Sequence, residues 1–509
     1  MSARLIGGTR ELSPEAVDAQ VRRAAAAMAA DGVGPGDAVA LLLRNDFAFF
    51  VASLAARWLG AYATPINWHA TPDEIGYILA DSGAKLLVGH DDLLAPLTGR
   101  AGLPATVAVP TPAEIAGAYR LAPATPPAEA RRWEDWLAAA DAEPPAPTAA
   151  GASAMIYTSG TTGKPKGVKR EPLVPERAMA QGRLFAGAYG LVPQPGMVAM
   201  MTGPMYHSAP NSYGLAAFTM ADTIVLQPRF DAEELLALVE KHRVTHMHMV
   251  PTMFVRLLKL PDEVKARYDL SSLVTVVHGA APCPVDVKRR MIEWWGPVIH
   301  EYYGATETGL MTAHGSADAL ARPGTVGRAL PGVTIRVLGE DGEALGAGAI
   351  GDVYIRSDVM PDFTYHGRAD ERAAIDRSGF VTVGDIGWLD EDGYLFLCDR
   401  RRDMIISGGV NIYPAEIEAE LLAMPGVRDC AVFGIPDDEF GEAVCAWIEP
   451  QAGAAPTPEG VRSALGEKLS RFKLPKVVEF ADALPREDSG KIFKRRLREP
   501  YWAAAGRAI

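Results

Sequence analysis

The sequence predicts an α/β fold with a large N-terminal domain and a small C-terminal α+β domain. Three observations support this prediction: strand and helix signals alternate up to residue 300, short strands separated by turns follow Thr325, and a compact mixed segment follows Arg400. Strands that alternate with helices form mainly parallel sheets. We therefore expect two mainly parallel α/β subdomains, a small β-barrel-like subdomain and a separate C-terminal unit.

The composition is that of a packed protein with more than one domain. The chain has 509 residues, 48% hydrophobic and 22% charged, and its net charge of −13 argues against nonspecific nucleic-acid binding. The four scattered cysteines favour neither disulfides nor a zinc site, which fits a cytoplasmic location. No stretch is typical of a signal peptide or a membrane span, since the most apolar one, residues 47–66, is interrupted by Arg57.

Hydrophobic periodicity places the elements of the first 150 residues. Helices are predicted at Pro14–Asp31, Asp46–Leu59 and Thr71–Ser82, and strands at Ala38–Leu43, Ala61–Pro65 and Lys85–Val88. The stretch Leu121–Ala150 is rich in proline and alanine, so we expect a surface connection there.

The same alternation resumes in the second subdomain and then gives way to period-two patterns. Strands are predicted at Ala199–Thr202, Thr223–Leu226, Val244–Val250 and Leu273–His278, with helices at Asp231–His242 and Pro284–Trp294 and within Thr252–Leu260. The barrel-like part is predicted from Val333–Leu338, Gly351–Ile355, Phe380–Val383 and Tyr394–Cys398. In the tail we expect helices at Pro414–Leu422 and Pro458–Leu469, and strands at Val427–Gly434, Val444–Ile448 and Val477–Phe480.

A loop rich in glycine and threonine, Tyr157–Gly167, separates the two subdomains. Its glycines allow sharp turns that expose backbone N–H groups, its hydroxyls add donors, and Lys164 and Lys166 add positive charge. Such a loop suits a polyphosphate, although its spacing is not that of a Walker A motif. The alternative is a flexible polar hairpin, which the number of donors makes the weaker interpretation.

This loop, YTSGTTGKPKG, resembles the signature of the AMP-forming adenylating superfamily, which contains acyl-CoA synthetases, peptide-synthetase adenylation domains and firefly-type luciferases. Four further segments match in the same order: Tyr302–Gly309, Thr382–Asp385, Asp399–Glu416 and Pro485–Lys491. The resemblance covers nearly the whole chain and favours the acyl-CoA synthetase branch. It implies that a carboxylate attacks the α-phosphate of ATP to give an acyl adenylate and pyrophosphate, and that coenzyme A then displaces AMP.

The resemblance also implies roles for individual residues. Thr306 would contact the α-phosphate, Glu307 with Thr162 would hold Mg²⁺, and Lys491 would bridge the carboxylate and the α-phosphate. Tyr303 would stack on the adenine, opposite a wall that begins at His278, and Asp385 with Arg400 would bind the ribose. The implied nucleotide-binding residues are Thr158, Ser159, Gly160, Thr161, Thr162, Gly163, Lys164, Gly279, Ala280, Ala281, Glu301, Tyr302, Tyr303, Gly304, Asp385 and Arg400.

A mobile tail is a further implication. The expected division is 1–398 for the large domain, 399–402 for the hinge, with Arg402 at the hinge position, and 403–509 for the small domain. Ser407, Gly408 and Gly409 would enter the active site for the thiol step. Arg471, Phe472 and Lys473 join a stackable ring to positive charge, and we expect them to bind the CoA nucleotide.

The acid pocket is expected around Gly203–Asn211, with substrate contacts from Tyr206, His207, Asn211, Tyr213, Gly279, Gly304 and Ala305. His207, also counted among the catalytic residues, matches the position of a gate between nucleotide and acid, although a histidine in an apolar segment is usually structural. No aspartate for a substrate ammonium lies between Pro204 and Phe218. A hydrophobic acid without an α-amine, fatty, aryl or steroid-like, is therefore favoured.

Other functions remain open from the sequence. The adenylate could pass to a carrier protein instead of CoA, the same fold could oxidise its adenylate as luciferases do, or the site could be inactive. His246 and His248 share one strand face, and burial is a better interpretation than metal binding because no third ligand is evident. The oligomeric state is not determined, a homodimer being one alternative.

Overall fold

The computed structural model describes residues 3–140, 143–149, 151–158, 165–401, 403–408, 410–486 and 492–505. Within these ranges the chain is a mixed α/β protein with a separate C-terminal domain, as the sequence predicts. No helix among them is long and apolar enough to cross a bilayer.

The first 140 residues contain a parallel sheet in the order β4-β3-β5-β6-β7. The elements are β1 Arg4–Gly7, β2 Arg10–Leu12, α1 Pro14–Ala30, β3 Ala38–Leu42, α2 Phe47–Trp58, β4 Tyr62–Pro65, α3 Pro72–Ser82, β5 Ala84–His90, α4 Asp91–Leu94, β6 Ala105–Val109, α5 Ala113–Tyr119, β7 Arg131–Arg132 and α6 Trp133–Ala138. The predicted surface connection therefore contains β7 and α6, and Trp133 and Trp136 of α6 are buried.

Local signals fix the helix ends in this region. Helix α3 starts with a capping box, in which Thr71 accepts from the backbone N–H of Glu74 and the Glu74 carboxylate accepts from that of Thr71. It stops at Gly83, which adopts a left-handed conformation. The helix therefore starts at Pro72, one residue after its predicted start at Thr71.

The second subdomain holds a parallel sheet in the order β1-β11-β10-β12-β13-β14, with β2 antiparallel to β1. Its elements are β8 Ile156–Thr158, β9 Lys166–Arg170, α7 Pro175–Tyr189, β10 Val198–Met201, α8 Ser208–Met220, β11 Thr223–Leu226, α9 Ala232–His242, β12 His246–Met249, α10 Pro251–Leu258, α11 Asp262–Lys265, β13 Thr275–His278, α12 Val285–Trp295, β14 Ile299–Ala305, β15 Gly309–Gly315 and α13 Ser316–Ala321. The carboxyl ends of β10, β12, β13 and β14 share one edge, where ligands of open α/β sheets bind.

The antiparallel strands continue this sheet from β14 through β15, β16, β23 and β22 to β18, which also pairs with β17. The elements are β16 Thr325–Ala329, β17 Val333–Leu338, β18 Gly351–Ser357, β19 Phe363–Tyr365, α14 Ala369–Ala374, β20 Asp376–Arg377, β21 Phe380–Val381, β22 Asp385–Leu389 and β23 Tyr394–Arg400. Strand β19 leaves this sheet and pairs with β9, so it lies beside the glycine-rich loop.

The C-terminal domain has its own sheet, in the order β25-β24-β27-β26, with β28 parallel to β27. The elements are β24 Ile405–Ser407, β25 Val410–Ile412, α15 Pro414–Ala423, β26 Val427–Asp437, β27 Gly441–Pro450, α16 Pro458–Gly466, β28 Val477–Phe480 and α17 Lys494–Ala504, with a short 3₁₀ helix at Arg471–Lys473. Its apolar core includes Ile405, Ile417, Val432 and Ile448, all fully buried, as expected of a separately folded unit.

Candidate functional site

A cavity of about 1530 Å³ opens at the carboxyl edge of the central sheet. It is lined by the residues that follow β13 and β14, by one side of α8 and by the β8–β9 hairpin. Part of the C-terminal domain also lines it. The space is large enough for several ligand groups at once, because single drug-sized ligands occupy about 300–1,000 Å³.

Thr306 and Glu307 form the turn between β14 and β15, and both line this cavity. A side chain at Gly304 would place its Cβ 2.5 Å from the Gly309 carbonyl oxygen, so only glycine allows the two strands to approach this closely. The Thr306 Oγ1 lies 2.9 Å from Ser208 Oγ, the first residue of α8. Tyr365 donates a hydrogen bond of 3.2 Å to Glu307 Oε1.

Arg170 donates hydrogen bonds to the backbone of this turn. This residue was not identified from the sequence. Its Nη2 donates to the carbonyls of Thr306 at 2.8 Å and Glu307 at 2.7 Å, and its Nη1 donates to that of Pro361 at 2.9 Å. Burial lowers the pKa of Arg170 to about 10, which leaves it charged at neutral pH. The sequence offered no signal for this role, because Arg170 ends a strand, KGVKR, in which three of the five residues are basic.

The glycine-rich loop is described only at its two ends. Thr158 ends β8 and lines the cavity, whereas Ser159, Gly160, Thr161, Thr162, Gly163 and Lys164 lie outside the described residues. Lys166 is buried and forms an ion pair with Glu371 of α14. Its charge is therefore partly neutralised by protein, which weakens the prediction that it serves the phosphates.

The predicted adenine wall divides into residues that line the cavity and residues behind it. Ala280, Ala281, Tyr302, Gly304 and Ala305 line it. Ala280 has a φ of 67°, a left-handed conformation that costs an alanine about 1–2 kcal/mol. Gly279 lies behind the wall, against the ring of Tyr302.

Glu301 was predicted to bind the nucleotide, and the geometry argues against that role. Its side chain is 3% exposed and does not line the cavity. Its carboxylate pairs with Lys288, lies 2.7 Å from His314 Nε2, and is 3.9 Å from His278 Nδ1. Burial alone would raise the pKa of Glu301, but its contacts with His278, His314 and Lys288 lower that pKa to about 2, so Glu301 belongs to a buried polar cluster under the wall.

His246 and His248 are both buried on β12, as predicted. The Nε2 of His248 lies 2.8 Å from the hydroxyl of Tyr302, a residue of the cavity wall. Among the described residues no three His, Cys, Asp or Glu side chains are grouped to hold a metal ion. His248 therefore supports the wall, whereas His246 contacts the hydroxyl of Thr245.

Stability is expected to fall in mild acid because of such buried histidines. Burial lowers the pKa of His248 from 6.5 to about 3, so the unfolded chain takes up the proton first and unfolding becomes easier as pH falls from about 6.5 towards 3. Each such histidine contributes a slope of up to about 1.4 kcal/mol per pH unit. Measured between pH 7 and pH 5, the melting temperature of a His248→Gln variant should fall less than that of the wild type. Equal falls would contradict the prediction, and His366→Gln is the matched control.

Asp385 and Arg400, which are predicted to bind the ribose, contact each other. Arg400 Nε donates to Asp385 Oδ1 at 3.2 Å, and the Tyr303 hydroxyl donates to the other carboxylate oxygen, Oδ2. Burial and the neighbouring Asp385 raise the pKa of Tyr303, so it stays a neutral donor. Arg400 lines the cavity; Asp385 and Tyr303 stand just behind, and stacking of Tyr303 on adenine stays a prediction.

The predicted acid-binding residues surround the start of α8. Tyr206, His207 and Asn211 line the cavity, and Asn211 Nδ2 donates to the Met205 carbonyl at 2.9 Å. Asn45 braces the same segment, since it donates to the Gly203 carbonyl and accepts from the Met205 N–H. Tyr213 does not line the cavity: it is fully buried against Tyr189 and His248, so its predicted substrate contact is not supported.

The C-terminal domain contributes fewer described residues. Phe493 and Arg496 line the cavity, whereas Lys491, Arg402 and Gly409 lie outside the described residues. Ser407 ends β24, and Gly408 follows it with a φ of 57°, which favours glycine.

The three residues predicted to bind CoA form the 3₁₀ helix. The ring of Phe472 is half exposed, and Lys473 pairs with Glu416 at 2.6 Å. The ring is therefore available for stacking, whereas the Lys473 charge has a protein partner. Arg471 lies in the same turn.

Comparisons with known proteins agree with this geometry. The model of the AMP-binding enzyme family matches residues 2–361, and that of the AMP-binding enzyme C-terminal domain matches residues 416–491. The chain is 33% identical to the long-chain-fatty-acid–CoA ligase FadD13 of Mycobacterium tuberculosis, over 96% of this chain and 92% of the relative. It is 32% identical to the fatty acid–[acyl-carrier-protein] ligase ScoC of Streptomyces coeruleorubidus, over 98% and 93%.

A solved structure is similar over the same length. ATP-bound MatB from Rhodopseudomonas palustris superposes with a TM-score of 0.81 at 29% identity, covering 98% of this chain and 96% of that one. The fold, the site and these matches agree over nearly all of the sequence. The chain belongs to the AMP-forming adenylating superfamily, in its acyl-CoA synthetase branch.

Proposed function

We propose that the protein is an ATP-dependent, AMP-forming acyl-CoA ligase that acts on a hydrophobic carboxylic acid, fatty, aryl or steroid-like. The observation that carries the proposal is the contact between the Thr306 and Ser208 hydroxyls. This contact connects the β14–β15 turn, which is assigned to the α-phosphate, with helix α8, which is assigned to the acid. Both elements line the same cavity. The names of FadD13 and of related CoA ligases support the choice of acid and acceptor.

In the first half-reaction a carboxylate oxygen of the acid attacks the α-phosphorus, and the bond from that phosphorus to pyrophosphate breaks. Thr306 donates to an α-phosphate oxygen, and Lys491 neutralises charge on the attacking carboxylate and the α-phosphate. Donors fixed in advance suit this step because negative charge shifts onto phosphate oxygens. Asp385 accepts from the ribose hydroxyls and thereby fixes the nucleotide.

A magnesium ion fits the donors that are present. Glu307 lines the cavity with a hard carboxylate oxygen, and among the described residues no three His, Cys, Asp or Glu side chains are grouped to hold a metal ion by themselves. Mg²⁺ commonly uses one or two carboxylates together with phosphate oxygens and water. Glu307 and Thr162 would hold the ion, which would supply charge neutralisation on the phosphates.

Glu307→Gln is expected to raise the Mg²⁺ concentration that gives half-maximal adenylation by at least about tenfold, since losses of that size follow even from changes behind a metal ligand. The measurement is pyrophosphate release against total Mg²⁺ at fixed ATP. Glu391→Gln, in an exposed turn, is the control. An unchanged Mg²⁺ requirement would remove Glu307 from the metal site.

In the second half-reaction the thiolate of CoA attacks the acyl carbon, the bond from that carbon to the AMP oxygen breaks, and the thiol proton is released. Movement of the C-terminal domain about residues 399–402 would bring Ser407–Gly409 to the cavity. The free thiols of Cys283, Cys398, Cys430 and Cys445 support a cytoplasmic location, where CoA and ATP are available.

Transfer to a carrier protein is the second candidate, and the similarity to ScoC favours it. A screen of fatty, aryl and sterol-derived acids for AMP release, with and without CoA, separates the two. The CoA ligase requires AMP and acyl-CoA to form together. Pyrophosphate exchange that proceeds while CoA is never acylated would overturn the CoA assignment.

A further inference from the structure

Helix α8 forms one wall of the cavity along its whole length. Ser208 at its first residue and Met220 at its last both line the cavity, together with an intervening stripe of small and apolar residues. With 13 residues, the helix is roughly 18 Å long. The acid can therefore extend far from the α-phosphate contact at Thr306.

Helix α2 lies against the C-terminal part of α8. The rings of Phe50 and Phe218 stack with their centres 5.6 Å apart. One turn after Phe50, α2 turns Ser53 and Leu54 to the cavity, and one turn later Arg57 and Trp58. Ser53 and Arg57 are four residues apart and so share one face of the helix.

Arg57 is a cation without a protein partner in this wall. Its side chain forms no hydrogen bond or ion pair with any part of the chain that the structure describes, and the residue is exposed and lines the cavity. Burial alone lowers the pKa of Arg57, whereas a neighbouring carboxylate would raise it. Asp18 and Glu171, which line the same cavity, therefore do not neutralise it.

Two hydroxyls beside the same cavity are also unsatisfied. Ser53 is 4% exposed, and its Oγ has no hydrogen-bond partner among the described residues. The Oγ of Ser153, which also lines the cavity, is buried and likewise lacks a described partner. Buried hydroxyls are normally paired, so these two unpaired hydroxyls point to a missing ligand in the part of the cavity that the exposed Arg57 also lines.

We propose that this end of the cavity binds a second carboxylate, so that the preferred substrates are dicarboxylic acids with a long apolar middle. A carboxylate only accepts hydrogen bonds, and the guanidinium of Arg57 donates as many as five, which matches the two groups. The serine hydroxyls add donors, and Leu54, Leu215 and Phe185 supply the apolar wall between the two ends. This inference rests on the proposed acyl-CoA ligase function and narrows its substrate class.

The test compares acids of equal length that differ only at the far end: dodecanedioic with dodecanoic acid, and hexadecanedioic with hexadecanoic acid. The full-length enzyme is assayed for CoA-dependent AMP release, and kcat/KM is measured for each acid. The wild type should favour the diacids, and their monomethyl esters should lose that preference. Arg57→Met should lower the diacid-to-monoacid ratio of kcat/KM about 10- to 100-fold, the loss expected for a charge-assisted hydrogen bond.

Two further variants serve as controls for folding and for the position of the charge. Arg57→Lys retains the charge and should keep part of the preference, which separates lost recognition from poor folding. Arg23→Met removes an exposed arginine from the neighbouring helix α1 and should leave the ratio unchanged. Equal ratios in the wild type and Arg57→Met, or a wild-type preference for monoacids, would overturn the proposal. Failure of every acid to yield acyl-CoA would instead overturn the acyl-CoA ligase assignment.

Discussion

Lys491→Ala is expected to slow formation of the acyl adenylate by on the order of 10² or more. Carboxylate and α-phosphate are both negative, so their approach needs a cation that acts mainly in the transition state. The effect should therefore appear in kcat of adenylation more than in the KM for ATP. Single-turnover release of pyrophosphate measures this step directly.

The same variant should still convert a chemically prepared acyl adenylate and CoA into acyl-CoA, because Lys491 is assigned to the first half-reaction only. Arg495→Ala is the matched control, since Arg495 is an exposed cation on α17 four residues away. An unchanged rate of adenylation in Lys491→Ala would refute the role. An equal loss in both half-reactions would indicate damage to the whole domain.

The sequence predicted most elements of this fold because their signals are local. Periodicity located β3, α2, α3 and β17 within about two residues, as expected for strongly patterned segments. Residues of three of the five matched motifs, Thr158, Thr306, Glu307 and Arg400, likewise line one cavity. These residues could be predicted because a motif fixes both the residue types and their spacing.

The features that the sequence did not reveal depend on contacts between distant segments. Strand β1 pairs with β11, more than 200 positions away, and nothing in its four residues encodes that partner. Glu301 stands next to motif residues, yet its strand turns it towards Lys288 and His314 instead of the cavity. Alternation along a strand sends neighbours to opposite faces, so adjacency to a motif does not establish a role.

The part of the cavity proposed to bind the acid also depends on contacts between distant segments, which the sequence did not reveal. Composition indicated an apolar pocket, and the stripe on α8 agrees with it. The charge opposite that stripe comes from Arg57, about 150 positions earlier, within the most apolar stretch of the chain. In the sequence that arginine served only to exclude a membrane span, whereas in the structure it lines the same cavity as helix α8.

Arg170→Gln is expected to reduce both stability and activity. The guanidinium is buried, and it donates to the carbonyls of Thr306, Glu307 and Pro361. Glutamine cannot reach all three, and removing a buried charged donor leaves acceptors unpaired at a cost on the order of 3 kcal/mol. Because two of those carbonyls belong to the turn, Thr306 and Glu307 should lose their alignment, and kcat/KM for ATP should fall on the order of 10- to 100-fold.

The control variant Arg372→Gln separates the expected loss of stability from the expected loss of activity. Arg372 also donates to three acceptors beside β19, namely the Phe363 carbonyl and the carboxylates of Asp362 and Asp376, but it does not line the cavity. Its loss should lower the melting temperature with little change in kcat/KM at 20 °C below that temperature. Arg170→Lys keeps the charge without the planar fork, so it should recover stability better than activity. If Arg170→Gln retained wild-type kcat/KM under conditions where it is fully folded, Arg170 would be a structural residue that does not position the catalytic turn.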